Sequence, residues 1–367
     1  MHLDLAPDGR RLVIAVETAE EAATLARVPA WAARARAWSP TNLPMLVIDA
    51  DTQRAVLGEW PGGNGLPPLI MISPPLAGIS RAAGLKQIFE ALDYLDYRRP
   101  FGHETTIASA AYIAAHGIDT LAAADAHLAG LGVAVGIAAP RQPHGTVWNI
   151  HAPITPAAPL ASAATRVIQL VRDPRDMVVS AYFFFKRQAE NAHAASTDRA
   201  IKATLAAADF APDRKDAAFA ALIAEGYRQL SPGGYTRLEP PRPVLESVIR
   251  WQTHPRVFTL RYERQHRDPH AQYRALAAWL APARAVADAV IELAVTSGTF
   301  AHQSGGSVAE GQHDEAPRAA SPTGHLRKGI VGDWRTHFSP AVRRAFHDQV
   351  GDLLLAAGFE SDPDWWR

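Results

Sequence analysis

Three short apolar runs constrain the fold more than any other feature of this chain: PLIMIS (68–73), TRVIQLV (165–171) and RVFTLRY (256–262). Each is rich in β-branched or aromatic residues, bounded by turn or polar residues, and reads as a continuous rather than an alternating apolar strand. Such strands are buried on both faces, the condition of a parallel sheet covered by helices. Between and beyond them lie long Ala- and Leu-rich stretches with helical spacing, at 80–95, 107–133, 174–189, 214–230 and 270–295. The alternation predicts an α/β fold: a central, mainly parallel sheet flanked by helices.

The expected organisation is one main domain, 65–367, behind an N-terminal extension, 1–64, that can form a small α+β subdomain. The extension carries a predicted strand at 11–16, a helix at 18–38 and a strand at 44–49. The Gly/Pro-rich run DTQRAVLGEWPGGNGLPP then leads into the first core strand. Residues 301–325, AHQSGGSVAEGQHDEAPRAASPTGH, are poor in large apolar groups and read as a mobile segment.

Composition removes several function classes. Lys plus Arg (37) equals Asp plus Glu (37), so the basic surplus of a duplex nucleic-acid binder is missing and any anion site must be local. The absence of cysteine excludes a disulfide frame, a thiolate nucleophile and Cys-ligated zinc, and no histidine spacing points to a metal. The opening MHLDLAPDGRRLVIAVETAEE lacks the apolar core of a signal peptide, and no apolar run approaches the ~18–20 residues that span a bilayer. A cytoplasmic protein without a transmembrane segment is expected.

The stretch VIQLVRDPRDMVVSAYFFF (167–185) carries the first site signal. A buried strand ends at Arg172, Asp173 has the character of a helix N-cap, and Pro174 suits the first helical position. Met177, Val178, Ala181 and Tyr182 follow at core-facing spacing, and Ser180 lies two turns into the helix. In an open α/β sheet, ligands bind at the carboxyl ends of strands. An arginine there and a hydroxyl on the next helix can hold one phosphate; the plainer alternative is an arginine paired with Asp173 or Asp176 and an ordinary helical serine. The second signal is LRKGIVGDWRTHF (326–338), with an adjacent pair of cations, two glycines and a tryptophan.

Taken together, RDPRDMVVSAYFFF and LRKGIVGDWRTHF resemble the cytosolic-type sulfotransferase family. The family carries an Arg-Asn/Asp-x-x-Asp…Ser segment and a later Arg-Lys-Gly…Gly-Asp-Trp loop. The match runs through Arg172, Asp176, Ser180, Arg327, Lys328, Gly329, Gly332, Asp333 and Trp334, in the family's order and separation. The resemblance implies a P-loop-like nucleotide-transferase domain over about 66–360. Its co-substrate would be 3′-phosphoadenosine-5′-phosphosulfate, with no metal and with Arg172, Ser180, Arg327, Lys328 and Gly329 around the 3′-phosphate. The glycine lets the backbone approach closely, and the loop would fold over the nucleotide as a lid.

Three further segments extend the resemblance. WNIHAPITP (148–156) stands where the family has Lys-x-His-x-Pro, which implies His151 as catalytic base and puts Asn149 at the usual lysine. Neutral imidazole titrates near the working pH, so it suits removal of a hydroxyl proton. SPPLAGISRAAGL (73–85) stands at the phosphosulfate loop; Pro75, Gly78 and Ser80 align with the cradle, to which Ile79 also belongs, but Leu76 replaces the cation, and Ala77 and Ile79 stand where hydroxyl residues are usual. Arg81 is the substitute cation nearest that position. VTSGTF (295–300) resembles the segment beside the adenine and implies Thr296, whereas Tyr262 and Glu263 in RYERQ read as structural. RTHFSPAVRR (335–344) departs from the family's dimer motif, so no family-style dimer follows.

Two functions stay open. One is a sulfotransferase acting on a hydroxyl or amine of a small-molecule or glycan acceptor. The other is a nucleotide-binding homologue impaired in catalysis, suggested by Leu76, Ala77 and Asn149. A P-loop kinase is disfavoured, because no Gly-x-x-x-x-Gly-Lys-Ser/Thr occurs.

Overall fold

The structure, a computed structural model, describes residues 2–5, 11–16, 19–36, 45–49, 55–58, 66–67, 69–74, 77, 84–96, 117–120, 122–124, 126, 146–150, 166–195, 207–231, 234–303 and 328–367. Strands β1 (His2–Leu5), β2 (Arg11–Ala15), β3 (Met45–Asp49) and β4 (Ala55–Gly58) form an antiparallel four-stranded sheet in that order. Two short helices, α1 (Ala19–Leu25) and α2 (Ala32–Arg36), stand where one long helix is expected. Pro29 lies between them and offers no N–H to a continuing helix.

The main sheet has five strands: β5 (Leu69–Ile72), β6 (Leu95–Asp96), β7 (Thr146–Ile150), β8 (Arg166–Val171) and β11 (Val257–Arg261). Its spatial order is β11-β8-β5-β7-β6 and every neighbouring pair is parallel. The predicted α/β architecture therefore holds, with the three apolar runs on adjacent strands, β5 and β8 inside the sheet and β11 at its edge. A separate hairpin joins β9 (Tyr227–Ser231) to β10 (Gly234–Leu238).

Helices cover both faces. On one lie α3 (Leu85–Ala91), α8 (Pro269–Leu280) and α9 (Asp288–Ser297), whose apolar residues join Leu69, Ile168, Leu170 and Leu260 in one core. On the other lie α4 (Pro174–Ala195), α5 (Lys215–Glu225), α6 (Pro241–Trp251) and α12 (Pro340–Ala356), which close a second core with Val171. The adjacent residues Leu170 and Val171 thus point into different cores, the two-sided burial that a continuous apolar strand requires. Three short α-helices complete those among the described residues: α7 (Tyr262–Arg267), α10 (Phe300–Gln303) and α11 (Trp334–His337). The stretch 270–295 divides into α8 and α9 around Pro282, and most of 107–133 and of 301–325 lies outside the described residues.

One glycine sets the approach of two helices at the carboxyl end of β5. A Cβ at Gly84, just before α3, would fall 2.0 Å from the Ala294 carbonyl oxygen, so only glycine lets the start of α3 meet α9 there. That packing brings the last turn of α9 beside the connection that leaves β5.

Candidate active site

The site is built on the turn that leaves β8. Asp173 accepts the Arg175 amide on Oδ1 at 2.9 Å, while its carbonyl accepts the Met177 amide at 3.0 Å. This is the N-cap expected from sequence. The Asp173 amide donates to Glu263 Oε1 at 2.7 Å, which ties the turn to the end of β11. The register explains the meeting: Arg261 pairs with Val171, so the next residues of the two parallel strands leave the sheet together.

Arg172 is 9% exposed. Its guanidinium lies 4.4 Å above the Tyr262 ring and Nη2 stands 3.5 Å from the Ile330 carbonyl oxygen. One turn along, Asp176 is wholly buried and fastens the second segment. Its Oδ2 accepts the Gly332 amide at 2.7 Å and its Oδ1 the Trp334 amide at 3.0 Å. Burial pushes this carboxyl upward, against the nearby positive charge of Arg172 and the two amide bonds. Segments more than 150 residues apart in sequence are thereby joined at one place.

The second segment turns through Gly329 (φ +74) and Gly332 (φ +81), both in the left-handed region where glycine avoids a Cβ clash. The Gly329 carbonyl accepts the Tyr262 hydroxyl at 2.9 Å and faces His266 Nε2 at 3.0 Å. Lys328 Nζ contacts Asp333 Oδ1 at 3.1 Å, Asp333 Oδ2 lies 3.3 Å from His337 Nε2, and His337 Nδ1 lies 3.0 Å from Lys215 Nζ. Lys328 therefore already has an anionic neighbour inside its own loop.

The other expected site residues are distributed as follows. Ser180 is half-buried on α4, one turn beyond Asp176 and on the same helix face. Thr296 is exposed in the last turn of α9, beside the β5–α3 connection, whereas Phe300 is core. Asn149 pairs with Met71 in β7, its side chain outside what the structure describes, and that strand ends one residue before His151. His151, Arg81, Pro75, Gly78, Ile79, Ser80 and Arg327 lie outside the described residues. Ala77 is buried and its amide donates to the Pro74 carbonyl at 3.1 Å.

Sequence reasoning undervalued Tyr262 and Glu263, which touch Arg172 and Asp173 respectively, and passed over His266 and Arg175. The usable signal was positional: Tyr262 and Glu263 immediately follow a buried strand, at the edge where ligands bind. Burial, reinforced by repulsion from Asp173, pushes Glu263 up to about 7 from 4.5. Its Oε2 is buried without a hydrogen-bond partner among the described residues. A carboxyl whose pKa is higher folded than unfolded binds more protons when folded. Its contribution to stability is complete below 4.5 and is lost as pH rises through 7. Over that window the wild type is expected to lose on the order of 1–3 kcal/mol relative to Glu263→Gln. Urea unfolding at several pH values checks this, and identical slopes for the two proteins would refute it.

Among the described residues no cluster of His, Asp and Glu suits a metal ion, and no helix is long and apolar enough to cross a membrane. The family model for the sulfotransferase domain matches residues 138–356. The chain belongs to the sulfotransferase family. The matched range of this sulfotransferase contains both Arg172–Ser180 and the loop that ends at Trp334; the turn at 75–81 precedes it. No curated protein matches the chain. Among solved structures it is similar to a mouse sulfotransferase complexed with PAP, at 17% identity over 78% of this chain and 84% of that one, TM-score 0.44. It is also similar to a retinol dehydratase in complex with androsterone and inactive cofactor PAP, at 15% identity over 93% and 96%, TM-score 0.42.

Proposed function

We propose that this sulfotransferase moves the sulfuryl group of 3′-phosphoadenosine-5′-phosphosulfate to a hydroxyl or amine of a small-molecule or glycan acceptor. The observation that carries the reading is the pair of hydrogen bonds that Asp176 accepts from the amides of Gly332 and Trp334. It holds an arginine-bearing turn and a glycine-rich loop against one another at the carboxyl edge of a parallel sheet, the place where such sheets bind ligands.

In this reading Arg172, Ser180, Arg327, Lys328 and the Gly329 backbone hold the 3′-phosphate, and Thr296 lies on the adenine side. Pro75, Gly78, Ile79 and Ser80 cradle the phosphosulfate through backbone amides. His151 takes the acceptor proton as the acceptor atom attacks sulfur. The sulfur–oxygen bond to the 5′-phosphate breaks, and 3′-phosphoadenosine-5′-phosphate (PAP) departs. Asn149 donates a hydrogen bond to the transferring group, and Arg81 supplies the cation that Leu76 does not. Lys328 must exchange Asp333 for phosphate, so the loop rearranges locally when nucleotide arrives. Residues 65–367 form the transferase unit and 1–64 a small subdomain, in a protein of the cytoplasm.

A second reading, binding without transfer, is favoured by Leu76 and Asn149, which remove two positive charges from the side where the bond breaks, and by Ala77, which removes a hydroxyl. Positioned charge of this kind is worth about 10²–10³ in rate. Calorimetry with PAP and an assay of labelled sulfate transfer to phenols, alcohols, lipids and glycans separate the two. Micromolar binding with transfer is expected; binding without transfer to any acceptor selects the impaired homologue, and no binding defeats both.

A further inference from the structure

Arg175 is the one arginine among the largest fully buried side chains, at 1% exposure, and the mechanism above does not use it. A guanidinium taken out of water needs each of its N–H groups matched. Asp173 accepts from Nε at 3.0 Å and from Nη2 at 2.7 Å. The remaining partners come from the end of the chain: Glu360 Oε2 accepts from Nη1 at 2.9 Å and the Phe359 carbonyl from Nη2 at 3.2 Å. Two aromatic rings lie against the guanidinium, Trp334 at 4.2 Å and Trp365 at 4.6 Å.

Each partner of Arg175 leads to a different part of the site. Asp173 follows Arg172 directly. Trp334 ends the glycine loop, and its amide is bound to Asp176. Glu360 and Trp365 belong to a segment beyond the matched range, which stops at 356. That segment is itself fixed. Gly358 (φ +71) reverses the chain after α12, the Phe359 amide returns to the Leu354 carbonyl at 2.9 Å, and Arg261 lies 4.7 Å from the Phe359 ring. Trp365 also meets Trp334 edge-on, with centroids 5.4 Å apart.

We infer that residues 359–365 are a positioning element for the phosphate-binding loop, acting through Arg175. The inference rests on the reading of Arg172 and the 328–334 loop as a phosphate site. Without the Glu360 carboxylate, Arg175 Nη1 loses its charged acceptor; without Trp365 the cation loses one of its two aromatic neighbours. Either loss loosens Arg175 between the turn of Asp173 and the ring of Trp334. The loop then opens more often and its bonds to Asp176 break with it.

The test uses the full chain as wild type, Glu360→Gln, Trp365→Ala and Trp365→Phe. Hydrogen exchange is read at the amides of 328–335 and, as reference, in α8 on the opposite face of the sheet. Glu360→Gln and Trp365→Ala are expected to accelerate exchange at Gly332 and Trp334 about tenfold or more, the effect of losing one charge-assisted bond. Exchange in α8 stays at the wild-type rate, and Trp365→Phe restores most of the protection. PAP affinity falls in parallel while the KM for acceptor holds. Wild-type exchange at 328–335 in both variants overturns the inference, as does equal acceleration in α8, which marks general loss of stability. A wild type that binds no PAP defeats the phosphate reading alone, since the exchange measurement still decides the role of 359–365.

Discussion

Arg172→Ala is expected to weaken PAP binding by about 10²–10³-fold, the effect of losing two charge-assisted bonds from a planar fork. The side chain is nearly enclosed, stacked on Tyr262 and aimed at the loop carbonyl of Ile330. A ligand phosphate meeting it displaces little water, and the bonds form in a medium of low dielectric. Arg172→Lys is expected to recover only part of the loss. An ammonium is a point charge that neither forks to two oxygens nor stacks flat on the tyrosine ring. The substitution also removes the positive charge nearest Asp176, so the thermal midpoint is measured with each titration to keep folding apart from binding. A folded Arg172→Ala protein with wild-type affinity for PAP would falsify the assignment of the phosphate site.

The second large effect is confined to chemistry. His151→Ala is expected to lower kcat by about 10²–10⁴-fold, the contribution of a positioned general base, and to leave PAP affinity unchanged. The split follows from the topology. β7, which ends one residue before His151, and β8, which leads to Arg172, lie on opposite sides of β5, so the proposed base and the proposed phosphate anchor belong to different strands. The acid limb of the pH–rate profile, set by the protonation of imidazole, disappears with the histidine. Undiminished turnover in the variant excludes His151 as the base.

Much of this arrangement is legible in the chain before any coordinates. The run at 165–171 gives β8 to within one residue, and the Asp-Pro after it gives the capped start of α4, because both depend on neighbours in sequence. The helix expected at 18–38 fails at its proline, and β1, β4 and β6 are too short to stand out from loop by pattern alone. The supports of the site were the least legible part. Glu263 capping the Asp173 amide, Tyr262 under Arg172 and Glu360 on Arg175 each join residues 90 or more positions apart. No local period encodes such pairs; they follow only once strand order is known. With β11 beside β8, the meeting of Tyr262 with Arg172 becomes a matter of register.

The place of Arg175 has a consequence for how the protein is made. Every pairing in the main sheet joins strands brought together by long crossovers, and two of the groups around this arginine, Glu360 and Trp365, follow all of those strands in the chain. A nascent chain can assemble its strands and most of its helices while still attached to the ribosome. On the inference drawn from Arg175, the turn of Asp173 and the 328–334 loop come into firm register only once residues 359–365 have been made. A stop codon at position 359 is therefore expected to leave the strands and helices in place and to weaken binding of PAP.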